Sequence, residues 1–252
     1  MAGALTQSAV KRLWLIRHGQ SAGNVADDAA KAAGSPTVSV GMRDPDVPLT
    51  DLGRRQAAAL GSLWRPRPGE QSLDVPDAVF SSPYIRAHDT ARIAVETAAA
   101  DVAISTDERL RERDLGLFDG LTAQGIRERY PEETERRAWL GKFYYRPPYG
   151  ESWADVALRV HAFLADMRSG EGERITIFSH QAVLFVFRYV IERLTEQQIL
   201  SIDRGSGFHN GGITSYATDS DGRLQLVAHD AIDHLHDQQA PATMGHDSHV
   251  EV

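Results

Sequence analysis

The chain has 252 residues, of which 42% are hydrophobic and 25% are charged, a composition typical of a folded globular protein. Its formal net charge of −8 argues against partners such as nucleic acids or anionic membranes, so a positive pocket must be built locally by a few residues. The absence of cysteine excludes disulfides, thiolate catalysis and cysteine-ligated zinc.

Two features of the chain predict a cytoplasmic location. Residues 1–10 lack the long apolar core of a signal peptide. The most apolar run, Ala182–Phe187, is too short to cross a bilayer. We therefore expect neither secretion nor a membrane partner.

In the first half of the chain, short apolar runs alternate with helical patterns. The predicted strands are Leu13–Ile16, Ala78–Phe80 and Val102–Ser105, and the predicted helices are Asp51–Trp64 and Tyr84–Ala99. Thr50 is the expected N-cap of the first of these helices. The segment Ala26–Val47 is rich in Ala, Asp, Gly and Pro, and we predict a long surface loop there with a helical turn at Asp27–Ala33.

The second half of the chain continues the alternation. Its predicted elements are the helices Thr122–Arg129, Glu132–Leu140, Trp153–Met167 and Gln181–Arg193, a short helix capped by Thr195, the strand Arg174–Phe178, and a hairpin of Ile213–Ala217 and Leu224–Ala228. This order predicts an α/β fold, a three-layer αβα sandwich with a mainly parallel central sheet. We expect one domain over residues 1–236 and a tail, 237–252, without fixed structure because it is polar.

Arg17 and His18 directly follow the first predicted strand. In an open α/β sheet, ligands bind just beyond the carboxyl ends of the strands. Arg17 offers a planar fork of donors suited to phosphate or carboxylate, and His18 offers a nucleophilic or basic nitrogen near neutral pH. Gly19 would let the backbone approach a ligand closely.

Further polar residues lie near the ends of predicted strands or in the loops that follow them. They are Asn24, Arg86, Glu112 and His180. Two arginines, two histidines and a glutamate can together bind a phosphoryl group and transfer it. The cations neutralise the phosphoryl oxygens, a neutral imidazole attacks phosphorus, and a carboxyl group gives the departing alkoxide a proton. No metal and no cofactor is expected, since arginine and histidine supply the positive charge.

Several motifs occur in a fixed order over Leu13–Leu235. They are Arg17-His18-Gly19-Gln20-Ser21 with Asn24, Asp46-x-Pro48-Leu49-Thr50-x-x-Gly53, Ser81-Ser82-Pro83-x-x-Arg86, Leu110-x-Glu112 with Gly120-Leu121, Gly150-Glu151-Ser152, Ser179-His180, and the segment Asn210–Thr214. This order resembles the histidine phosphatase superfamily, which includes cofactor-dependent phosphoglycerate mutases. The resemblance implies a phosphoglycerate mutase-like fold and roles for six residues: His18 as nucleophile, Glu112 as proton donor, and Arg17, Arg86, His180 and Asn24 as phosphate ligands.

A second, local resemblance concerns the substrate's organic part. The stretches Tyr130-Pro131-Glu132-Glu133, Lys142-Phe143-Tyr144-Tyr145-Arg146-Pro147 and His180-Gln181-Ala182-Val183 are similar to fructose-2,6-bisphosphatase domains. It implies substrate contacts by Lys142 and Gln181, to which we add Gln20 and Ser21 of the first motif. Phe185 stands where that family has a substrate-binding arginine, so we expect a small monophosphate, with an apolar or aromatic group accepted, rather than a bisphosphate.

Each site residue also has a purely structural alternative. His18 and His180 can be histidines held at buried strand ends, and Arg86 can be a helix arginine paired with Asp89. Glu112 can be a surface ion-pair residue, because Arg109, Arg111 and Arg113 surround it in the sequence. If Glu112 is the proton donor, we expect these three arginines to face mostly away from it, since nearby cations would lower its pKa.

Three functions fit these residues. The first is a metal-independent phosphatase of small phosphorylated substrates acting through phosphohistidine; the others are a phosphoglycerate mutase and a non-catalytic binding module. Mutases carry a long insertion over the site, whereas only residues 121–150 separate Gly120 from Glu151, which favours hydrolysis. The histidines near the C-terminus match no standard metal-ligand spacing, and a homodimer is a further expectation.

Overall fold

The computed structural model describes residues 10–65, 73–167, 172–237 and 240–244, where six strands form one sheet. The strands are β1 (Arg12–Arg17), β2 (Ala78–Ser81), β3 (Ile104–Thr106), β4 (Arg174–Ser179), β5 (Ile213–Thr218) and β6 (Leu224–Ala231). Their order is β3-β2-β4-β1-β5-β6, with the first four strands parallel and β5 and β6 antiparallel to their neighbours. The prediction of a mainly parallel α/β sheet is confirmed.

Helices cover the sheet. They are α1 (Ala22–Ala32), α2 (Asp51–Leu63), α3 (Ile85–Ala98), α4 (Ala123–Arg129), α5 (Pro131–Leu140), α6 (Trp153–Met167), α7 (Gln181–Ile191), α8 (Glu196–Gly205) and α9 (Asp233–Asp237). Thr50 caps α2 as predicted, with its hydroxyl accepting from the Gly53 amide at 3.1 Å. Within the described ranges, no helix is both long and apolar enough to cross a membrane.

The side chains of β1 alternate between two hydrophobic clusters. Leu13 and Leu15 pack with α6 and α7 on one face of the sheet, whereas Trp14 and Ile16 pack with α2 and α3 on the other. A strand buried on both faces needs apolar residues at successive positions, which explains the unbroken run in the sequence. The three layers place the carboxyl ends of β1, β2 and β4 at one edge of the sheet.

The segment after His18 differs from the prediction of a loop from Ala26 onward. Residues 22–32 form α1, which begins with a capping box: the Ser21 hydroxyl accepts from the Asn24 amide at 3.2 Å, and Asn24 Oδ1 accepts from the Ser21 amide at 3.0 Å. Asn24, Asp27 and Ala30 are buried along one face of the helix. The helical turn predicted at Asp27–Ala33 thus lies within α1 as far as Ala32, but the helix begins five residues earlier than predicted, because asparagine replaces the usual Glu or Gln of this motif.

Part of the expected tail also differs from its prediction. Residues 240–244 pack against the domain, with Ala240 fully buried and the Gln56 side chain donating to the Pro241 carbonyl at 2.9 Å. Residues 238–239 and 245–252 lie outside the described residues. An extended segment held by side-chain hydrogen bonds has no periodic signal by which the sequence could reveal it.

One C-terminal histidine, His229, lies half-buried in β6, and its environment predicts that stability is sensitive to acid. The His229 ring packs edge-on against Phe208 at 4.8 Å and its Nδ1 lies 3.1 Å from the Thr214 hydroxyl. Burial, and next the charge of Arg188, lowers the pKa of His229 to about 4. Because the unfolded histidine binds a proton near pH 6.5 and the folded one does not, we expect stability to fall as the pH drops from about 6.5 to about 4.

Urea unfolding at several pH values measures this effect. The free energy of unfolding of the wild type should fall by about 1–2 kcal/mol more than that of His229→Gln across this window. His161→Gln, which changes an exposed histidine of α6, should keep the wild-type slope. Parallel curves for the wild type and His229→Gln would show that His229 does not titrate in this way.

Candidate active site

The parallel pairing of β1 and β4 brings two histidines together. Arg17 is in register with Ser179, and the His18 amide donates to the Ser179 carbonyl at 3.1 Å. His18 and His180 therefore leave adjacent strands side by side, with their ring centroids 5.2 Å apart. Both rings are fully buried. The carboxyl ends of β1 and β4 thus lie next to each other.

The hydrogen bond of His18 fixes its tautomer. Nδ1 lies 2.7 Å from the carbonyl oxygen of Gly19, which can only accept, so Nδ1 carries the proton. The lone pair is then on Nε2, the nitrogen suited to attack an electrophile. Gly19 is required by packing rather than by a ligand, because a Cβ there would lie 2.5 Å from the Gly53 carbonyl oxygen of α2.

Arg17 is also fully buried at the end of β1. Its Nη1 donates to the Phe208 carbonyl at 2.6 Å, so a backbone group holds the guanidinium in place. A buried guanidinium at this strand end can offer charge-assisted hydrogen bonds to an anion bound beyond the strand.

His180 lies between β2 and the loop that carries Glu112. Its Nε2 is 2.8 Å from the Ser82 hydroxyl, and its Nδ1 is 3.9 Å from Glu112 Oε2. Glu112 is only 8% exposed, and its other oxygen accepts from the Arg113 amide at 2.7 Å. One carboxyl oxygen is thus held by the backbone while the other faces His180.

Two of the three arginines around Glu112 face away from it, as expected. Arg109 pairs with Asp107 and Asp166, and Arg111 pairs with Glu151 at 2.7 Å. Arg113 differs, because it lines the same cavity as Glu112. Burial lowers the pKa of Arg113, an effect that Glu112 and Glu151 oppose.

A buried arginine of α6 anchors the Glu112 loop. Arg159 is 9% exposed, and its Nη1 and Nη2 donate to the carbonyls of Arg109 and Glu112 at 2.5 and 3.3 Å. Its Nε is held by Glu151, which also accepts from the Asp114 amide at 3.1 Å. The sequence did not indicate a role for Arg159, because no local pattern predicts its contact with a loop about 50 residues earlier in the chain.

We expect Arg159→Met to misplace the Glu112 carboxyl. The turnover of an alkyl phosphate should fall about tenfold more than that of an aryl phosphate, because the poorer leaving group depends more on its proton donor. Steady-state assays of both esters measure this ratio, and Arg159→Lys should restore part of it. Arg54→Met changes an exposed arginine and should leave the ratio unchanged. Equal losses on both esters would mean that Arg159 serves stability alone.

Arg86 does not pair with Asp89, the structural alternative in the sequence. Asp89 pairs with Arg92 instead, at 3.1 Å. Arg86 lies in the first turn of α3, nearly buried, with its guanidinium directed to Asp44 and 5.1 Å from the Tyr84 ring. This contact places Arg86 in the wall of a cavity of about 530 Å³ that Asn24 and Glu112 also line.

The predicted ligands from the first motif have structural partners. Asn24 Oδ1 accepts from Ser21, and also from Asn210 Nδ2 at 3.2 Å, so its amide nitrogen is the group that can donate to a phosphate. The Ser21 hydroxyl is used in the cap of α1, although Ser21 does line the cavity. Gln20 accepts from the Thr50 hydroxyl at 2.8 Å and does not line it.

Asn210 holds the segment that carries His18 from the other side. Its Nδ2 donates to the His18 carbonyl at 3.1 Å, and the Thr243 hydroxyl donates to its Oδ1 at 2.9 Å. The sequence pointed to Asn210 through its motif alone and gave it no role.

Lys142 and Gln181 line a second, neighbouring cavity of about 360 Å³. Lys142 forms an ion pair with Asp203 and lies 5.2 Å from the centre of the Trp153 ring, and burial lowers its pKa. Phe185 lines neither cavity, because it is fully buried between Trp153 and Phe208. Its expected influence on the substrate's organic group therefore has no support in the geometry.

Comparisons with known sequences agree with the motif order. A profile of the histidine phosphatase superfamily (branch 1) matches residues 13–230. A 2,3-bisphosphoglycerate-dependent phosphoglycerate mutase of Sinorhizobium fredii is 31% identical over 200 residues, which cover 77% of this chain and 86% of the mutase. A Caenorhabditis elegans 6-phosphofructo-2-kinase/fructose-2,6-bisphosphatase is 31% identical over 185 residues, covering 73% of this chain and 35% of that protein.

Solved structures show the same likeness. Bacillus stearothermophilus YhfR superposes with a TM-score of 0.70 at 26% identity, over 89% of this chain and 98% of YhfR. A mycobacterial glucosyl-3-phosphoglycerate phosphatase in complex with VO3 gives a TM-score of 0.64 at 26% identity, over 88% of this chain and 100% of that one. The resemblance drawn from the motifs is thus confirmed, and the chain belongs to the histidine phosphatase superfamily (branch 1).

Proposed function

We propose that the protein is a phosphatase that hydrolyses small organic phosphomonoesters through a phosphohistidine on His18. The observation that carries the proposal is the pairing of His18 and His180, 5.2 Å apart, with the His18 proton held on Nδ1 by the Gly19 carbonyl. Buried Arg17 and Arg86 supply the positive charge that a phosphoryl dianion needs before attack.

In the first step, Nε2 of His18 attacks phosphorus and the bond to the ester oxygen breaks. Glu112 gives its proton to the departing alkoxide, so a neutral alcohol leaves and the carboxylate remains. Arg17, Arg86 and His180 hold the phosphoryl oxygens, and Asn24 assists through its amide nitrogen. Splitting the hydrolysis in two replaces one difficult displacement by two easier ones.

In the second step, the Glu112 carboxylate takes a proton from water while the water oxygen attacks phosphorus. The phosphorus–nitrogen bond breaks, inorganic phosphate leaves, and His18 regains its lone pair. Glu112 is again protonated and ready for the next substrate. The position of Glu112 Oε2, 3.9 Å from His180 Nδ1, supports its use in both steps.

A phosphoglycerate mutase remains the second candidate, because several relatives carry that name. A mutase must keep water from the phosphohistidine, whereas exposed residues such as Asp114 and Asp119 line the cavity beside Glu112, so water can enter it. This openness favours hydrolysis. A cytoplasmic location and association as a homodimer stay predictions from the sequence.

Hydrolysis of an aryl phosphate with and without a chelator tests the proposal. We expect the same turnover in both, and little isomerisation of 3-phosphoglycerate. Isomerisation that outpaces hydrolysis would assign the protein to the mutases. Phosphate binding without turnover of either substrate would instead indicate a non-catalytic module.

A further inference from the structure

The carboxylate of Asp44 reaches into the cavity and contacts Arg86. Asp44 begins the 3₁₀ turn Asp44–Asp46, between α1 and α2. Arg86 Nη1 donates to the Asp44 carbonyl at 2.7 Å and lies 2.9 Å from its Oδ1, while Nη2 donates to Oδ2 at 3.2 Å. The Asp44 side chain is 39% exposed and lines the cavity. Arg86, a proposed phosphate ligand, is therefore already paired with a carboxylate of the protein.

Other carboxylates share this wall with Asp44. Besides Asp44 and Arg86, the ionisable residues that line the cavity within the described part of the chain are Asp27, Tyr84, Glu112, Arg113, Asp114 and Asp119. The charge of Arg113 is offset by the Glu151 carboxylate, which favours its protonated form.

Two neighbouring groups respond to the Asp44 charge. Partial burial raises the pKa of Asp119, and the Asp44 carboxylate raises it further. Burial, followed by the charges of Asp44 and Glu112, raises the pKa of Tyr84 to about 12. Both shifts have the sign expected where an additional negative charge is unfavourable.

We propose that Asp44 selects substrates by the charge of their leaving group, an inference that rests on the proposed function. Arg17, Arg86 and the two histidines compensate the phosphoryl dianion itself. A carboxylate or second phosphate elsewhere on the substrate meets Asp44 and Asp119, and like charges repel. A hydroxyl or ammonium group finds acceptors there instead. The substrate class is therefore monophosphates of neutral alcohols and amino alcohols.

Three esters of similar size test this selection: phosphoethanolamine, 2-hydroxyethyl phosphate and phosphoglycolate. In the wild type, kcat/KM should decrease in that order, and the ratio of the first to the last should fall as salt is added. Asp44→Asn should lower this ratio about tenfold. Because all three esters share the phosphoryl group, any shift of Arg86 in the variant cancels from the ratio.

Asp46→Asn is the matched control. Asp46 ends the same turn, but its carboxylate pairs with the exposed Arg43 at 2.7 Å, so the ratio should stay at the wild-type value. A wild type that prefers phosphoglycolate, or an unchanged ratio in Asp44→Asn, would overturn the inference. If Asp44→Asn does not fold, the inference is tested by the same kcat/KM ratio in Asp119→Asn, which should also fall, and by the salt dependence of the ratio in the wild type. No hydrolysis of these esters or of an aryl phosphate would instead refute the proposed function.

Discussion

His18→Ala should lose at least about three orders of magnitude in kcat, the loss typical of removing a covalent nucleophile. The reason is specific to the site: the Gly19 carbonyl holds the His18 proton on Nδ1, which leaves the lone pair on Nε2 for attack on phosphorus. A neighbour such as His180 cannot substitute, because its Nε2 is engaged with Ser82 at 2.8 Å. Steady-state hydrolysis of an aryl phosphate measures the loss.

The control for this variant is His161→Ala, which removes an exposed histidine of α6 and should keep full activity. Circular dichroism and binding of inorganic phosphate show whether His18→Ala remains folded with Arg17 and Arg86 in place. A folded variant with turnover near the wild-type value would show that His18 is not the nucleophile.

Glu112→Gln should slow the release of a poor leaving group far more than that of a good one. Single-turnover release of the alcohol or phenol isolates the first chemical step from the later hydrolysis of the phosphoenzyme. We expect a loss of about two to three orders of magnitude for an alkyl phosphate and less than about tenfold for a nitrophenyl phosphate. The amide keeps the shape of Glu112 and its contact with the Arg113 amide, but it has no proton to give.

Glu132→Gln, a change at an exposed position of α5, should behave as the wild type with both esters. Equal losses on the two esters in Glu112→Gln would mean that the carboxyl only positions the phosphoryl group. Arg159→Met should show the same preference for aryl over alkyl esters in weaker form, since it displaces Glu112 without removing it.

The proposed catalytic residues could be singled out in the sequence because each follows a strand or lies in an ordered motif. Arg17 and His18 end a run of apolar residues, and Ser179-His180 ends another, so the sequence indicated that both leave the sheet at one edge. The parallel pairing of β1 with β4 brings the two strand ends together in one site. No local sequence pattern predicts which strands are neighbours in the sheet.

What the sequence did not reveal depends on contacts between distant segments. Arg159 reaches the carbonyls of Arg109 and Glu112 across about 50 residues, and Asp44 reaches Arg86 across 42. A charged residue in a helix or loop is usually solvated, so its local sequence does not indicate a distant partner. For Phe185 the sequence suggested a role that the structure does not support. Its position matches a substrate-binding arginine of the similar family, but here its side chain is part of the aromatic core.

Rapid acid-free quenching of the enzyme during turnover, followed by mapping of the phosphorylated peptide, shows whether His18 carries the phosphoryl group. An aryl phosphate in excess supplies the phosphoryl group, and Glu112→Gln should prolong the intermediate by slowing its hydrolysis. We expect a phosphoryl group on the peptide that contains His18, stable in base and lost in acid. Phosphate on a different residue, or no phosphoenzyme in either protein while the aryl phosphate is being hydrolysed, would contradict it.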